Sequence, residues 1–447
     1  MKRKMITLAA LGTALIAAGA FAAPGPANGD TTTSANFNAD RGGPLAAFKP
    51  GSGQIAVDWN KELLRIELTP GAQPATIHPT RSFALLNTAV YDAVVSITRA
   101  DNPYQFSVVA PHSARPDAAA DQAAHDTLLA LFPSFAPELN QLLATQLAAI
   151  PESAAKHSGI VVGSRAATIL LALRANDGSA TAPNPFVPSN PPQPGGYQLT
   201  PPNFAPAVFT NWGTITPWVL EAGNRFRPPS PPPLTSPQWA DAINQVQSLG
   251  QNTSTTRTPD ETTIAKFWAP PIWNTWNEIA DNQITENRTS LEESSHLLAD
   301  LNLTFADSAI AFYDAKYHYQ LWRPVTAIRA GTPGNPAVDP ANTTWLPQAG
   351  NTAADPSYPA AHSTISGAAA TVLSAFFGPD RPVTVSSDAL AGVTRNFAGF
   401  QAAADEAGMS RIFAGQHTSI DVNAGSALGQ QVAQFVLDQP FGANVRR

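Results

Sequence analysis

The sequence predicts an all-α protein, an expectation that rests on three observations. Apolar residues recur every three or four positions over long stretches, strand-like alternation is scarce, and the 42 prolines fall mainly between the periodic segments. With charged residues at only 13% and apolar residues at 43% of the 447-residue chain, the picture is of helices with a sizeable buried core, joined by stiff proline-rich connections.

The elements follow in order. Residues 23 to about 55 are rich in Gly, Ala, Asn, Thr and Pro without periodicity and read as a flexible leader. From Thr80 a helix is marked by the stripe Phe83, Leu86, Val90, Val94 and Ile97. Further helices are predicted over 118–131, 137–149 and 154–175, the last stopped near Asp177-Gly178. Residues 178–235 are irregular, with Pro-Pro pairs at 191–192, 201–202 and 228–229 and the run Pro231-Pro232-Pro233. They also carry Phe204, Phe209, Trp212, Trp218 and Phe226, too many aromatics for a disordered linker. They read either as a connection packed over the helical body or as a roof on an active site. Helical pattern resumes over 238–249 and 259–267. A long helix then spans about 290–319, with Leu297, Leu301, Phe305 and Phe312 on one stripe. After a loop over 331–359, Ile365, Ala369, Val372 and Phe376 mark a helix that stops at Gly378-Pro379, and Ala424, Leu428, Val432 and Phe435 mark the last.

The start of the chain, Lys2-Arg3-Lys4, an apolar run from Met5 to Ala20 and the Ala20-Phe21-Ala22 triplet, reads as a signal peptide over 1–22, so the protein is expected to be secreted or periplasmic. No later run is apolar for long enough to span a membrane. Cysteine is absent, which excludes disulfides and thiolate metal sites. A net charge of −7 argues against nucleic acid as a partner. The remaining layout is an N-terminal helical region with its proline-rich connection over 56–235 and a C-terminal helical bundle over 236–447.

Against that acidic background, three motifs in the last third of the chain collect cations and histidines. The first is Lys316, six residues, then Arg323-Pro324; the second is Pro359-Ala360-Ala361-His362; the third is Ser410-Arg411, five residues, His417, three residues, Asp421. Lys316 and Arg323 are two helical turns apart, and Pro324 tends to place Arg323 at a helix end or just beyond it. Taken alone, that pair could be a solvated basic face at a helix terminus. His362 stands at a helix N-terminus, where free N–H groups favour an anion, although it could merely decorate the cap. His417 and Asp421 fall one turn apart on an expected helix, so Asp421 can hold one ring nitrogen and leave the other as nucleophile or ligand. A zinc site would lack third and fourth ligands and be opposed by the cations. Gly415 allows a bend that turns Arg411 and His417 to one pocket. Two arginines and a lysine around one spot describe a pocket for a phosphate-like oxyanion. His296 and His318 read as structural or exposed, and Trp322 as packing or as a pocket wall.

In order and spacing, the three motifs resemble the signature of the vanadium-dependent haloperoxidase and type 2 phosphatidic acid phosphatase superfamily. The words around Trp322-Arg323-Pro324-Val325-Thr326-Ala327-Ile328-Arg329 resemble its secreted bacterial haloperoxidase-like branch. Weaker similarity in helix pattern extends back to about Arg81. The resemblance implies two packed helical bundles with the site in the C-terminal one. It implies that Lys316, Arg323 and Arg411 hold equatorial oxygens, with a backbone donor near Ala360 and Ala361. His417 would be the only protein ligand of a vanadate cofactor, and His362 the acid/base beside the apical oxygen. Two activities share that geometry: oxidation of halide by hydrogen peroxide, passed on to a small organic substrate, or hydrolysis of phosphate esters through a phosphohistidine without vanadate. A third reading, a non-catalytic oxyanion-binding homologue, does not need a histidine held by a carboxylate. The family usually has Pro-Ser-Gly-His where this chain has Pro359-Ala360-Ala361-His362, so one hydroxyl donor to the oxyanion is missing.

Overall fold

A computed structural model describes residues 52–441; the expected signal peptide and nearly all of the leader lie outside the described residues. The described residues belong to one unit, Ala46–Arg447. Among them, thirteen α-helices and one two-stranded sheet are present, as the all-α expectation requires. The expected helices appear as α2 (Pro79–Thr98), α3 (Pro116–Leu131), α4 (Ala136–Ala148), α5 (Ala154–Arg174), α6 (Pro237–Leu249), α7 (Pro259–Phe267), α9 (Leu291–Tyr319), α11 (Ala361–Phe377) and α13 (Ser419–Leu437). Four more were not anticipated: α1 (Gln54–Glu67), α8 (Ile272–Asn287), α10 (Pro324–Ala330) and α12 (Phe400–Phe413). The first begins inside the stretch read as leader. A short hairpin, β1 (Val383–Ser386) against β2 (Thr394–Phe397), also goes beyond the sequence reading.

The longest helix, α9, is started by a capping box in which Ser290 and Glu293 exchange side-chain and backbone hydrogen bonds. It is buried almost throughout and packs on α2, α11 and α13, so it belongs to both bundles and carries Lys316 in its last turn. One continuous core joins residues of α2, α3 and α5 to residues of α8, α9, α11, α12 and α13. Smaller clusters lie under α1 to α4 and around Trp239, Trp322 and Trp345.

Helices α11 and α13 approach closely because glycine lines their contact. A Cβ at Gly425 would meet the Ala360 carbonyl, one at Gly429 the Thr364 carbonyl, and one at Gly367 the Ser426 carbonyl. This contact sets the N-terminus of α11, with His362, beside the start of α13, with His417 and Asp421.

The proline-rich segment over 178–235 is packed down by specific bonds. Tyr197 N–H donates to Gln320 O at 2.7 Å, Trp322 N–H to Gly195 O at 2.9 Å, and Val208 N–H to Ala354 O at 2.9 Å. The Tyr358 hydroxyl donates to Pro229 O at 2.7 Å. The segment is thereby packed over the helical body and fastened to residues flanking Arg323 and His362.

Candidate oxyanion site

Lys316 leaves the end of α9 fully buried. Its ammonium donates to Asp355 Oδ1 at 3.3 Å, to the Pro356 carbonyl and to Ser357 O at 3.4 Å. Burial pushes its pKa down to about 8, with Asp355 pulling it back up and Arg323 pushing it further down. Arg323 is the N-cap of α10, just beyond the turn that ends α9, with Pro324 opening the new helix. Its Nε donates to Asp355 O at 2.8 Å, and one terminal nitrogen donates to Gln416 O at 3.1 Å and to His417 Nε2 at 3.0 Å. The other is paired with the Asp355 carboxylate.

His417 precedes α13 and is not on it: Thr418 is the N-cap. The expectation that His417 and Asp421 share a helix is therefore corrected, because Thr418 and Asp421 form a capping box that starts the helix between them. Asp421 Oδ2 accepts from Thr418 N–H and from the Ser357 hydroxyl, both at 2.8 Å. It stands 3.5 Å from His417 Nδ1, too far for a strong bond, and Ser357 Oγ stands 3.4 Å from the same nitrogen. Asp421 and Ser357 together face Nδ1, which leaves Nε2 with its lone pair toward Arg323. Burial holds the ring well below its ordinary pKa, with Arg323, Lys316 and Arg411 adding to the effect.

Arg411 sits in the last turn of α12, and Gly415, at φ 74°, supplies the expected bend. Its Nε is buried without a partner, and among the described residues it has no acidic counter-ion. Burial and the neighbouring Arg323 depress its pKa to about 10. His362, second residue of α11, is likewise without a partner at Nε2. Burial, Arg411 and His417 hold it neutral, against a weaker pull toward the charged form from the Trp268 and Pro270 carbonyls. The residue as a whole is half-buried.

The backbone donors divide. Ala360 N–H is taken by Asp421 O at 3.0 Å, so this residue offers no donor to a ligand. The N–H groups of Ala361, His362 and Ser363, in the first turn of α11, precede the first intrahelical bond, from Thr364 to Ala360 O.

The structure thus brings together Lys316, Arg323, His362, Arg411, His417 and Asp421, with the free N–H of Ala361 beside them. Trp322 packs on Trp239, His318 is exposed, and His296 is fully buried against Asp300 at 3.2 Å. Three residues escaped the sequence reading. Asp355 and Ser357 lie in the loop before Pro359, and His78 caps α2 beneath a ring of aromatics that includes Phe209, Trp212, Trp273 and Tyr313. Burial drives His78 to about 3, with Asp355 the charge that opposes the shift.

Three cations, two unpartnered side-chain nitrogens and an open helix N-terminus thus lie together, donors of the kind that suits an anion. Residues 296–441 match the family described as VCPO second helical-bundle domain. The chain shares its fold with bacterial vanadium-dependent haloperoxidases of known structure. The crystal structure of "the first bacterial vanadium dependant iodoperoxidase" superposes with a TM-score of 0.74 at 22% identity, covering 88% of this chain and 97% of that one. An apo-type bacterial vanadium-dependent chloroperoxidase gives 0.62 at 16% identity, covering 82% and 93%. Its holo-type counterpart gives 0.62 at 16% identity, covering 88% and 92%. No curated protein matches the sequence. These haloperoxidase folds are helical bundles as this chain is, and the VCPO match contains Lys316, Arg323, His362, Arg411, His417 and Asp421.

Proposed function

We propose that the protein is an enzyme of the haloperoxidase kind, which oxidises halide with hydrogen peroxide at a vanadate held in this pocket. One observation carries the reading: Arg411, whose Nε is buried without a partner and which has no acidic counter-ion among the described residues, is set beside the neutral rings of His362 and His417. The unpartnered Arg411 Nε and His362 Nε2 fit an oxyanion's oxygens. Arg411, Ala361 N–H, Lys316 and Arg323 would hold them, and His417 Nε2 would be the protein ligand. Bound vanadate supplies Lewis-acid activation of peroxide. The chain's own part is to orient His417 through Asp421 and Ser357 and to take a proton from peroxide at His362 Nε2.

The structural neighbours, an iodoperoxidase and chloroperoxidases by name, favour this reading over the phosphatase one, in which His362 would have to carry the proton that releases the alcohol. Export from the cytoplasm is proposed as well, on the basic start and apolar run of the first 22 residues; N-terminal sequencing of the mature protein tests it.

The deciding experiment measures bromide and iodide oxidation by hydrogen peroxide before and after loading with orthovanadate, alongside hydrolysis of a chromogenic phosphate ester. Vanadate-dependent halide oxidation is expected. Ester hydrolysis that vanadate inhibits, with no halide oxidation, would transfer the site to phosphatase chemistry.

A further inference from the structure

The donors of the first motif are already engaged in the pocket. A lysine ammonium has three N–H donors, and those of Lys316 face Asp355 Oδ1, Pro356 O and Ser357 O. Arg323 has five, of which four go to the Asp355 carbonyl, the Asp355 carboxylate, Gln416 O and His417 Nε2. One carboxylate, 5% exposed, therefore binds both cations, while Arg411 has none among the described residues. Asp355 is itself fixed from behind: its neighbour Ala354 accepts from Val208 of the proline-rich segment, and its own carbonyl accepts from Arg323.

We infer that Asp355 is an internal counter-ion, which neutralises Lys316 and Arg323 while the pocket is empty and competes with the incoming oxyanion for them. Burying Lys316 and Arg323 side by side would strongly oppose folding without an anion. Asp355 removes most of that penalty. The same contact lowers oxyanion affinity, because an oxyanion gains the Lys316 and Arg323 donors only by displacing the carboxylate. Arg411 and the start of α11 are then the groups that first capture the ligand. The inference rests on the proposed oxyanion site and deepens it.

Asp355→Asn is close to isosteric and removes the charge. Binding of inorganic phosphate and of orthovanadate to purified wild type and variant is measured by calorimetry, with melting temperatures taken with and without phosphate. The expected result is binding at least about tenfold tighter in the variant, with a lower melting temperature in the absence of anion and a larger rise on adding it. Equal affinity in the two proteins would overturn the counter-ion role and leave the oxyanion site standing. Weaker binding in the variant would also overturn it, and would make Asp355 a residue that positions the cations for the ligand. No binding of either anion by either protein would overturn the site itself together with this inference. If Asp355→Asn does not fold, Asp355→Ser removes the same charge and carries the same expectations.

Discussion

Arg411→Gln is expected to make the anion-free protein more stable while damaging its ability to bind an oxyanion. Without an anion the guanidinium is partly desolvated, has no acidic partner among the described residues and lies near Arg323. Its pKa falls from the ordinary guanidinium value to about 10. At ~1.4 kcal/mol for each tenfold change in an ionisation constant, the charged form is destabilised by ~3 kcal/mol in the folded state. The sign is that of a base whose folded pKa is lowered. The penalty is fully present below about pH 10 and is relieved only as pH rises from there toward the ordinary guanidinium value, so it is constant across the neutral range. Glutamine retains a hydrogen-bonding head and most of the stem, but some packing is lost, which makes ~3 kcal/mol an upper bound on the gain. For a chain of this size that corresponds to a rise in melting temperature of a few degrees at most. Thermal unfolding at pH 7 without phosphate or vanadate reads the stability, and calorimetric titration with phosphate reads the binding, which should weaken at least about tenfold. A variant that melts lower than wild type and binds phosphate equally well would show that Arg411 is a structural residue and refute the reasoning.

His417→Ala is expected to reduce turnover by at least about a thousandfold with circular dichroism unchanged, because the ring contributes Nε2 to the ligand and only a modest share of the packing. Oxyanion affinity should fall as pH rises through about 8, where burial leads Lys316 to lose its proton in the empty pocket. Over the same range the protein should gain stability up to about 10.5, since the unfolded chain then binds more protons than the folded one. Phosphate titrations from pH 6.5 to 9.5 check the binding trend, and Lys316→Met should flatten it. Gly429→Ala drives a methyl into the Thr364 carbonyl where α11 meets α13. A loss of about 1–3 kcal/mol or more is expected, measured by denaturant unfolding, with activity falling in parallel because that contact sets His362 against His417.

The helices legible in the sequence are those whose apolar stripe is long or whose ends carry strong signals. α9 has both: an unbroken stripe and Ser290 and Glu293 at its start. α1 was hidden by the glycine- and proline-rich residues just before it, although Ile55, Trp59, Leu63 and Ile66 do recur at helical spacing and are buried. α8 mixes Asn, Thr, Glu and Gln among its apolar residues because part of its buried face is polar, with Asn277 bonded to Asn302. β1 offers only Val383 and Val385 as an inward pair, too short an alternation to read. At the site, the motif residues were visible because their spacing is unusual. Asp355 was not: an aspartate in a loop rich in Pro, Asn and Asp looks like turn chemistry, and only the fold shows it facing two cations. The spacing of His417 and Asp421 suggested one shared helix, yet Thr418 three residues before Asp421 is itself a capping signal that places the histidine outside it.

The arrangement makes the pocket a product of the whole described chain, although its charged residues all come from the last third. Lys316 ends a helix that spans both bundles, and the residues around Arg323 are bonded to Gly195 and Tyr197 of the proline-rich segment. The loop that presents Ser357 and Asp355 is fastened to Val208 on one side and, through Tyr358, to Pro229 on the other. Most of these bonds use backbone groups, which any sequence could supply. The prolines matter because they limit the conformations in which those groups can be offered. Lys316 and Arg323 are buried from water under this packing, and it is the exclusion of water that gives a handful of charges their strength. The same exclusion makes an empty pocket costly, which is why a buried carboxylate such as Asp355 belongs to the design of the site and is not incidental to it.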